Sequence, residues 1–315
     1  MRQKIKINFE DFWHHNSFAT IQKENPIFKL LSARFDLELS KEPDFLIYSC
    51  FGKNFLKYNC VRIFYTGENI RPNLNECDYA FSFDYPITER NYRLPLYILY
   101  DGYKELKRNS LNFDLENKLS EKQRFCNFVY SNKKGKERVE FFEKLQKYKK
   151  VDSGGKIKNN LGCLIKDKLS FLQQYKFTIA FENSSYPGYT SEKLLQAFVT
   201  NTIPIYWGNP LIHMDFNTKS FINCHEYNNF EEVIERVIEV DNDDSLYREY
   251  ITQSPIILNV ENEYLSEINI IKRFAKIFSN RNLIFADKKK NILRYYCWLM
   301  AKYPKIAYNS MRKNI

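Results

Sequence analysis

Residues 175–210 have the sequence YKFTIAFENSSYPGYTSEKLLQAFVTNTIPIYWGNP. The mostly apolar run Phe177–Phe181 is typical of a buried strand, and a polar loop follows it. Thr190 or Ser191 is a suitable N-cap for a helix whose leucines and phenylalanine share one face. A second strand, Ile203–Trp207, ends at a Gly-Asn-Pro breaker. This strand–loop–helix–strand unit predicts an α/β fold with parallel strands.

The same unit places polar residues where α/β proteins bind ligands. Glu182 and Asn183 follow the first strand, and Glu192 and Lys193 lie in the first turn of the helix. Ligands of open α/β sheets bind outside the carboxyl ends of the strands, and helix N-termini attract phosphate. A lysine in a first turn opposes the helix dipole, which suggests an anionic partner, although a solvated surface lysine is the alternative. The residues therefore predict a site for a phosphorylated or nucleotide ligand.

Alternating strand and helix patterns occur on both sides of this stretch. A polar, lysine-rich segment, residues 101–124, separates the two sets and is predicted to be a linker or mobile loop. We therefore predict two Rossmann-like halves. The proposed boundaries are an N-terminal domain at 1–118, a C-terminal domain at 119–285 and a basic aromatic tail at 286–315. Further strands are predicted at Lys4–Phe9, Phe35–Leu39, Phe45–Cys50, Arg62–Thr66, Asp78–Phe83 and Phe125–Tyr130, and further helices at 26–34, Glu137–Lys149 and Phe230–Val240.

Charge and cysteine usage exclude several classes of protein. The net charge is +10, and eight Lys or Arg against one Asp give +7 within residues 286–315 alone. The remaining +3 over 285 residues is too little for a nucleic-acid-binding surface. The seven cysteines are isolated, without CxxC spacing, which favours reduced thiols over a disulfide framework or zinc site. No apolar run suits a secretory signal or membrane span, so we expect a cytoplasmic protein.

The stretch FENSSYPGYTSEKLLQAFVTNTIPIYWGNP resembles the α1,3/4-fucosyltransferase family, especially its bacterial members. FYTGENIRPNLNECDYAFSFD, RLPLY, SNKKGKER and VDSGGKIKNNLG resemble other parts of the same family in the same order. The resemblance covers roughly residues 60–255. It implies a GT-B fold, in which two facing Rossmann-like domains hold the active site in the cleft between them. It also implies GDP-fucose as donor and an inverting transfer of L-fucose to an oligosaccharide acceptor.

The resemblance also assigns roles to individual residues. Glu68 would be the general base that takes the proton of the acceptor hydroxyl, and an exposed turn glutamate is the alternative. Lys193 and Arg138 would neutralise the leaving diphosphate. Glu192 would accept hydrogen bonds from the ribose hydroxyls, and Tyr189 and Asn183 would bind the nucleotide sugar. The alternatives for these three residues are structural. Glu192 would interact with the helix dipole, Tyr189 would be a turn residue, and Asn183 would form an Asx turn.

Two further short motifs, one aromatic and one acidic, are compatible with other functions. Tyr206-Trp207 has the composition of a sugar-stacking platform, but its place at the end of a buried strand favours a core position. Asp241-Asn242-Asp243 matches the DxD motif that holds a divalent ion in other glycosyltransferases. Its position after a helical run favours a solvated loop. Because the GT-B fold generally uses basic side chains and helix dipoles instead of a metal, we expect no metal site and no obligatory cofactor, with a divalent ion at most stimulatory.

The tail combines basic residues with a periodic apolar pattern. Ile292, Tyr295, Tyr296, Leu299 and Tyr303 recur at helical spacing, and Pro304 should end the helix. Such a helix suits peripheral contact with an anionic membrane, here the inner face of the cytoplasmic membrane. The alternative is a helix that packs back on the body.

The expected function is an α1,3-fucosyltransferase that builds Lewis-type antigens on N-acetyllactosamine-like acceptors. One alternative is a GT-B transferase for another nucleotide sugar, against which Glu68 and the Glu192-Lys193 pair argue. The other is a catalytically inactive, membrane-peripheral glycan-binding module. The intact Glu68, Arg138 and Lys193 argue against that loss of catalysis.

Overall fold

The computed structural model describes residues 4–13, 17–109, 119–257, 262–286 and 291–302. Within these ranges the chain forms two compact units, Met1–Leu94 with Glu263–Ile315, and Pro95–Asn262. Each unit is built around its own parallel sheet. The first unit is therefore discontinuous in sequence, while the second is one continuous segment.

The first sheet contains six parallel strands in the order β2-β1-β3-β4-β5-β6. The second contains five in the order β11-β10-β9-β7-β8, again all parallel. Central strands such as Phe45–Tyr48 and Val61–Tyr65 are buried along their whole length, as expected where both faces of a parallel sheet are covered. The strands are β1 Lys4–Glu10, β2 Asp36–Leu39, β3 Phe45–Tyr48, β4 Val61–Tyr65, β5 Tyr79–Ser82, β6 Asn91–Arg93, β7 Arg124–Phe128, β8 Val151–Ser153, β9 Tyr175–Phe181, β10 Ile203–Trp207 and β11 Ile222–Asn223.

The helices in the described part of the chain cover and connect these strands. They are α1 Phe18–Glu24, α2 Pro26–Ser32, α3 Asp101–Asn109, α4 Lys136–Leu145, α5 Lys168–Leu172, α6 Glu192–Val199, α7 Phe230–Asn242, α8 Asp244–Thr252, α9 Glu267–Phe278 and α10 Asn291–Lys302. Short 3-10 helices lie at Asn54–Lys57, Leu96–Leu99, Ile212–Met214, Thr218–Ser220, Cys224–Glu226 and Glu263–Leu265. The strands and helices predicted from the sequence are present, with ends that differ by a few residues. None of the described helices has the length and apolar character to cross a membrane.

One prediction about the middle of the chain was wrong. The segment 101–124, expected to be a linker, begins with helix α3, and residues 110–118 lie outside the described ranges. Helix α3 packs against α6, where a Cβ at Gly102 would lie 3.0 Å from Val199. This contact joins residues 95–109 to the second unit. The boundary expected at 118 therefore differs from the division that the structure shows.

The boundary expected at 285 also differs, because helix α9 belongs to the first unit. The ring of Phe274 stacks on Phe81 of β5 with centroids 4.1 Å apart, and Phe278 meets Phe45 of β3 at 4.8 Å. The backbone amides of Phe285 and Ala286 then donate to the carboxylate of Asp78. A polar-looking C-terminal region is thus tied to the first sheet by buried aromatic contacts.

The tail packs on the first unit where the structure describes it. Tyr295 and Leu299 of α10 are buried in a cluster that includes Leu46, Tyr48 and Phe55. Arg294 pairs with Glu76, and Nζ of Lys57 lies 4.5 Å from the centroid of the Tyr295 ring. Packing on the body, the alternative considered for this helix, therefore accounts for its main apolar face. Residues 303–315 lie outside the described ranges.

Candidate functional site

A buried charge network lies between the end of β9 and the start of α6. Glu182 is fully buried and accepts hydrogen bonds from the amide and hydroxyl of Ser191 at 2.7 and 2.8 Å. Nζ of Lys193 donates to Glu182 at 3.0 Å and to the Ser191 hydroxyl at 2.8 Å. Ser191 is the N-cap of α6, as predicted, but its hydroxyl binds Glu182 instead of capping the helix. The network fixes Lys193 at a helix N-terminus.

Two further charged side chains, Glu192 and Lys168, interact with this network. The carboxylate of Glu192 lies 3.9 Å from Nζ of Lys193. Burial disfavours the charge of Lys193, but the carboxylates of Glu182 and Glu192 outweigh it and raise its pKa. Burial likewise opposes the charge of Glu192, yet Lys193 and Lys168 hold the pKa of that carboxyl below its ordinary value. Lys168 of α5 donates to Gln196 at 2.6 Å, and burial lowers its pKa.

A buried arginine stands at the start of α4. Arg138 is 1% exposed, lies 4.5 Å from the centroid of the Tyr130 ring, and donates through Nη1 to Oδ1 of Asn183 at 2.9 Å. Its Nη2 donates to the carbonyl of Asn132. A Cβ at Gly135 would collide with the guanidinium, so a larger residue there would have to displace the Arg138 side chain. Among the described residues, Nε of Arg138 is buried and has no hydrogen-bond partner.

Tyr189 and the Tyr206-Trp207 pair lie in the same unit as these charged residues. Tyr189 is 2% exposed and follows Gly188, whose left-handed backbone has φ 83°. The amide of Gly188 donates to Oδ1 of Asn209 at 2.7 Å. Tyr206 is fully buried and its hydroxyl accepts from the amide of Asn209 at 3.0 Å, so the core role expected for it is confirmed. Trp207 is partly buried and packs against a different cluster, where its ring lies 5.9 Å from that of Phe181.

Glu68 belongs to the first unit. It follows β4 and is half-buried. Its amide donates to Oγ1 of Thr66 at 3.0 Å, and its carbonyl accepts from Ile70 at 2.7 Å. The turn thus holds the Glu68 backbone at the carboxyl end of a central strand. The role of general base implied for Glu68 stays a prediction.

The DxD-like sequence has structural partners. Asp241 lies at the end of α7, where Lys176 and Lys149 approach its carboxylate at 2.8 and 3.0 Å. Asp243 caps α8 by accepting from the amides of Ser245 and Leu246. The expectation of a solvated loop was wrong for Asp241, which is 9% exposed because its charge is compensated inside the fold. Within the described ranges, the acidic, His and Cys side chains form no group suited to a metal ion.

The second unit contains five of the predicted site residues: Arg138, Asn183, Tyr189, Glu192 and Lys193. Among them, Arg138 contacts Asn183, and Lys193 lies close to Glu192. The sequence places Glu182 beside the predicted ligand site but indicates no individual role for it, and it gives no indication of Lys168. The sequence does contain a signal for Glu182, because this acidic residue follows an apolar strand and precedes the helical turn that contains Lys193. Lys168 lies in a lysine-rich stretch, where no spacing distinguishes it from solvated neighbours.

Comparisons with known proteins agree with this arrangement. Residues 7–100 match the model of the alpha-(1,3)-fucosyltransferase FucT N-terminal domain, and residues 119–266 match the C-terminal model of glycosyltransferase family 10 (fucosyltransferase). Alpha-(1,3)-fucosyltransferase FucT of Helicobacter pylori is 34% identical over 293 residues, which cover 80% of this chain and 60% of that protein. This chain thus spans about 60% of the length of that relative.

Solved structures give the same result for the fold. A crystal structure of an alpha1,3-fucosyltransferase is 30% identical, with a TM-score of 0.78 and coverage of 91% of this chain and 93% of that one. A crystal structure of alpha1,3-fucosyltransferase with GDP-fucose is 29% identical, with a TM-score of 0.75 and coverage of 90% and 93%. The expected α/β fold of the GT-B type is therefore confirmed. The chain belongs to glycosyltransferase family 10, the fucosyltransferases.

Proposed function

We propose that this protein transfers L-fucose from GDP-fucose to a hydroxyl group of an oligosaccharide acceptor. One observation carries the proposal: three cations, Lys168, Lys193 and Arg138, stand against two carboxylates, Glu182 and Glu192, in the region around β9 and α6. The excess of positive charge suits a diphosphate. The likeness to an enzyme crystallised with GDP-fucose supports the identity of the nucleotide.

In the proposed donor site each side chain has a distinct task. Lys193 and Arg138 neutralise the negative charge that grows on the leaving diphosphate as the bond to fucose breaks. Arg138 suits a bidentate phosphate contact, because Asn183 and the Asn132 carbonyl already fix its plane. Glu192 accepts hydrogen bonds from the ribose hydroxyls, and Asn183 and Tyr189 contact the nucleotide sugar.

The proposed transfer inverts the anomeric carbon in one displacement. The acceptor oxygen forms a bond to C1 of fucose while the bond from C1 to the GDP oxygen breaks. The hydroxyl proton passes to the carboxylate of Glu68, and GDP leaves with the bonding electrons. A half-buried carboxylate at a strand end suits this task, because it is held by its backbone and remains open to a substrate.

We propose N-acetyllactosamine-type glycans as acceptors, an α1,3 linkage to GlcNAc, and a role in Lewis antigen synthesis. The test supplies purified protein with GDP-fucose and type 1 or type 2 disaccharides, and determines the linkage of the product by NMR. A fucosylated type 2 product with an α1,3 linkage supports the proposal. Transfer only from another nucleotide sugar would favour the alternative transferase, and acceptor binding without any transfer would favour an inactive glycan-binding module.

We also propose that no divalent ion is required, because basic side chains take the place of a metal and Asp241 is committed to Lys176 and Lys149. Activity should survive EDTA. Complete loss of activity that added manganese reverses would show instead that a metal is needed. A modest stimulation by manganese would be compatible with the proposal.

We propose that the protein works in the cytoplasm, at the inner face of the cytoplasmic membrane, through residues 286–315. The charge of +7 in this segment and the exposed Leu293 and Met300 of α10 support the proposal. Truncation at Asp287 would remove buried Tyr295 and Leu299, so surface variants give the cleaner test. Leu293→Ser with Met300→Ser should reduce co-sedimentation with anionic vesicles, whereas Ile87→Ser should not. Unchanged co-sedimentation in the double variant would contradict a role of this helix face.

A further inference from the structure

Two aromatic side chains stand half-exposed at the carboxyl edge of the first sheet. Trp13 follows β1 and is 48% exposed, and Phe51 follows β3 and is 46% exposed. Their ring centroids lie 6.3 Å apart with planes at 82°, an edge-to-face pair. Single exposed aromatics are common on protein surfaces, but here two loops present a joint apolar surface.

A buried carboxylate holds these two loops together. Asp11 is 4% exposed and accepts hydrogen bonds from the amides of Asn54 at 3.1 Å and Phe55 at 2.9 Å. Its carbonyl also accepts from the amide of Phe51 at 3.0 Å. Asp11 has a left-handed backbone, with φ 59°, and a Cβ at Gly52 would collide with its side chain. A strained backbone and a buried acid thus fix the aromatic pair.

Hydrogen bonds link Cys50, the residue before Phe51, to the turn that contains Glu68. Sγ of Cys50 lies 3.2 Å from Oγ1 of Thr66, and the same Oγ1 accepts from the amide of Glu68 at 3.0 Å. Strands β1, β3 and β4 are neighbours in the sheet, at spacings of about 4.8 Å. The aromatic pair and Glu68 therefore lie on one edge of the sheet, the edge at which α/β proteins bind ligands.

We propose that Trp13 and Phe51 form a platform for one pyranose ring of the acceptor. A galactose-type ring has one apolar face of C–H groups and a rim of hydroxyls. An aromatic surface binds such a face through dispersion and contacts between C–H groups and the π system, while the rim stays hydrated. The platform would orient the acceptor so that a hydroxyl of the next ring reaches Glu68. The role of Glu68 in this inference rests on the proposed function, but binding of the sugar ring does not.

The test measures acceptor binding in Trp13→Ala and Phe51→Ala. N-acetyllactosamine binding is followed by saturation-transfer NMR without donor, and steady-state kinetics give KM for each substrate. Both variants should weaken acceptor binding and raise the acceptor KM by about tenfold or more. The KM of GDP-fucose and its slow hydrolysis without acceptor should not change. Trp13→Phe, which keeps an aromatic ring, should retain most of the affinity, and Ile87→Ala, fully exposed in the same unit, should have no effect.

The results separate this inference from the proposed function. Unchanged acceptor affinity in both alanine variants, with GDP-fucose turnover intact, would overturn the platform alone. Disaccharide binding that needs Trp13 in a protein that does not use GDP-fucose would support the platform and overturn the transferase. Thermal unfolding shows whether each variant is folded. If an alanine variant is not, the matching leucine variant, which keeps an apolar side chain without an aromatic face, should weaken acceptor binding, and unchanged binding in it would overturn the platform. Equal loss of donor and acceptor binding in folded variants would also overturn the platform.

Discussion

The carboxylate of Glu182 and the ammonium group of Lys193 form a buried ion pair, with Oε2 and Nζ 3.0 Å apart. Ser191 binds both partners, and Glu182 has no exposed surface. A lysine at a helix N-terminus is disfavoured by the helix dipole. Glu182 offsets that cost, so Lys193 stays charged and in one place before any anion arrives. The proposed donor site is thus prepared by a residue that need not touch the donor.

Glu182→Gln should therefore lower both stability and donor affinity. Removing one partner of a buried pair leaves an uncompensated charge and costs about 3–5 kcal/mol. Urea unfolding measures the stability, and calorimetry with GDP measures the affinity. Glu38→Gln is the matched control, because the Lys4–Glu38 pair at 3.0 Å is exposed and should contribute little. Equal stability of the two variants would contradict this account of Glu182.

Lys193→Ala and Arg138→Ala should each weaken GDP binding by roughly 10- to 150-fold. Each variant removes a charge-assisted contact of roughly 1.5–3 kcal/mol. Isothermal calorimetry with GDP measures the loss, and GDP-fucose turnover should fall with it. Lys134→Ala, an exposed lysine in the loop before α4, should bind GDP normally. If both site variants keep wild-type affinity, neither side chain holds the diphosphate.

Glu68→Gln and Glu68→Ala should keep GDP binding and lose transfer by about two to four orders of magnitude. The amide keeps the shape of the side chain but cannot take a proton. Single-turnover transfer to N-acetyllactosamine measures the effect, with GDP calorimetry as the control for an intact donor site. Near-normal transfer by the glutamine variant would assign the base elsewhere.

Because of Asp11, the unfolding free energy of the wild-type protein should decrease as the pH rises from about 4 to about 6. Burial raises the pKa of Asp11 from 3.8 to about 6, although the amides of Phe55 and Asn54 oppose the shift. The folded state therefore binds more protons than the unfolded state over this range, and the unfolding free energy decreases as pH rises, by about 3 kcal/mol. Asp11→Asn, which also tolerates the left-handed backbone, should lose this decrease.

Urea unfolding of both proteins from pH 4 to pH 8 measures the difference. The variant should be the less stable protein near pH 4, since an amide cannot satisfy both backbone donors. Above pH 6 the difference in unfolding free energy between the two proteins should become smaller or change sign. Parallel pH profiles in the two proteins would contradict the assigned pKa.

The sequence predicted the fold well where local patterns and tertiary contacts agree. The run Tyr175–Trp207 has strand and helix periods, a Ser191 N-cap and a Gly-Asn-Pro end, and each element is present. The linker prediction failed at α3, because its stability comes from packing of Gly102 against α6 and not from its own polar sequence. Contacts such as that between Phe274 and Phe81 join residues far apart in the chain, and no local pattern reports them.

The candidate site shows the same division. The residues assigned to it come from the resemblance, which covers the motif around Lys193, and their roles stay predictions. The contacts that hold these residues could not be predicted, because Glu182 accepting from Lys193 and Arg138 binding Asn183 depend on side-chain geometry. No local pattern indicates the aromatic pair of Trp13 and Phe51 either, because the two residues are 38 positions apart and only the sheet brings their rings together.

The return of α9 to the first sheet has a consequence for biosynthesis. The second unit, Pro95–Asn262, is one continuous segment and emerges from the ribosome before Glu267–Phe278 does. The first sheet must wait for that helix, with the Phe81 and Phe45 rings that it covers exposed in the interval. The second unit can therefore complete its fold before the first unit, although most of the first unit precedes it in the sequence. A nonsense mutation before the codons for Glu267–Phe278 would leave the first sheet without this helix while the second unit folds normally.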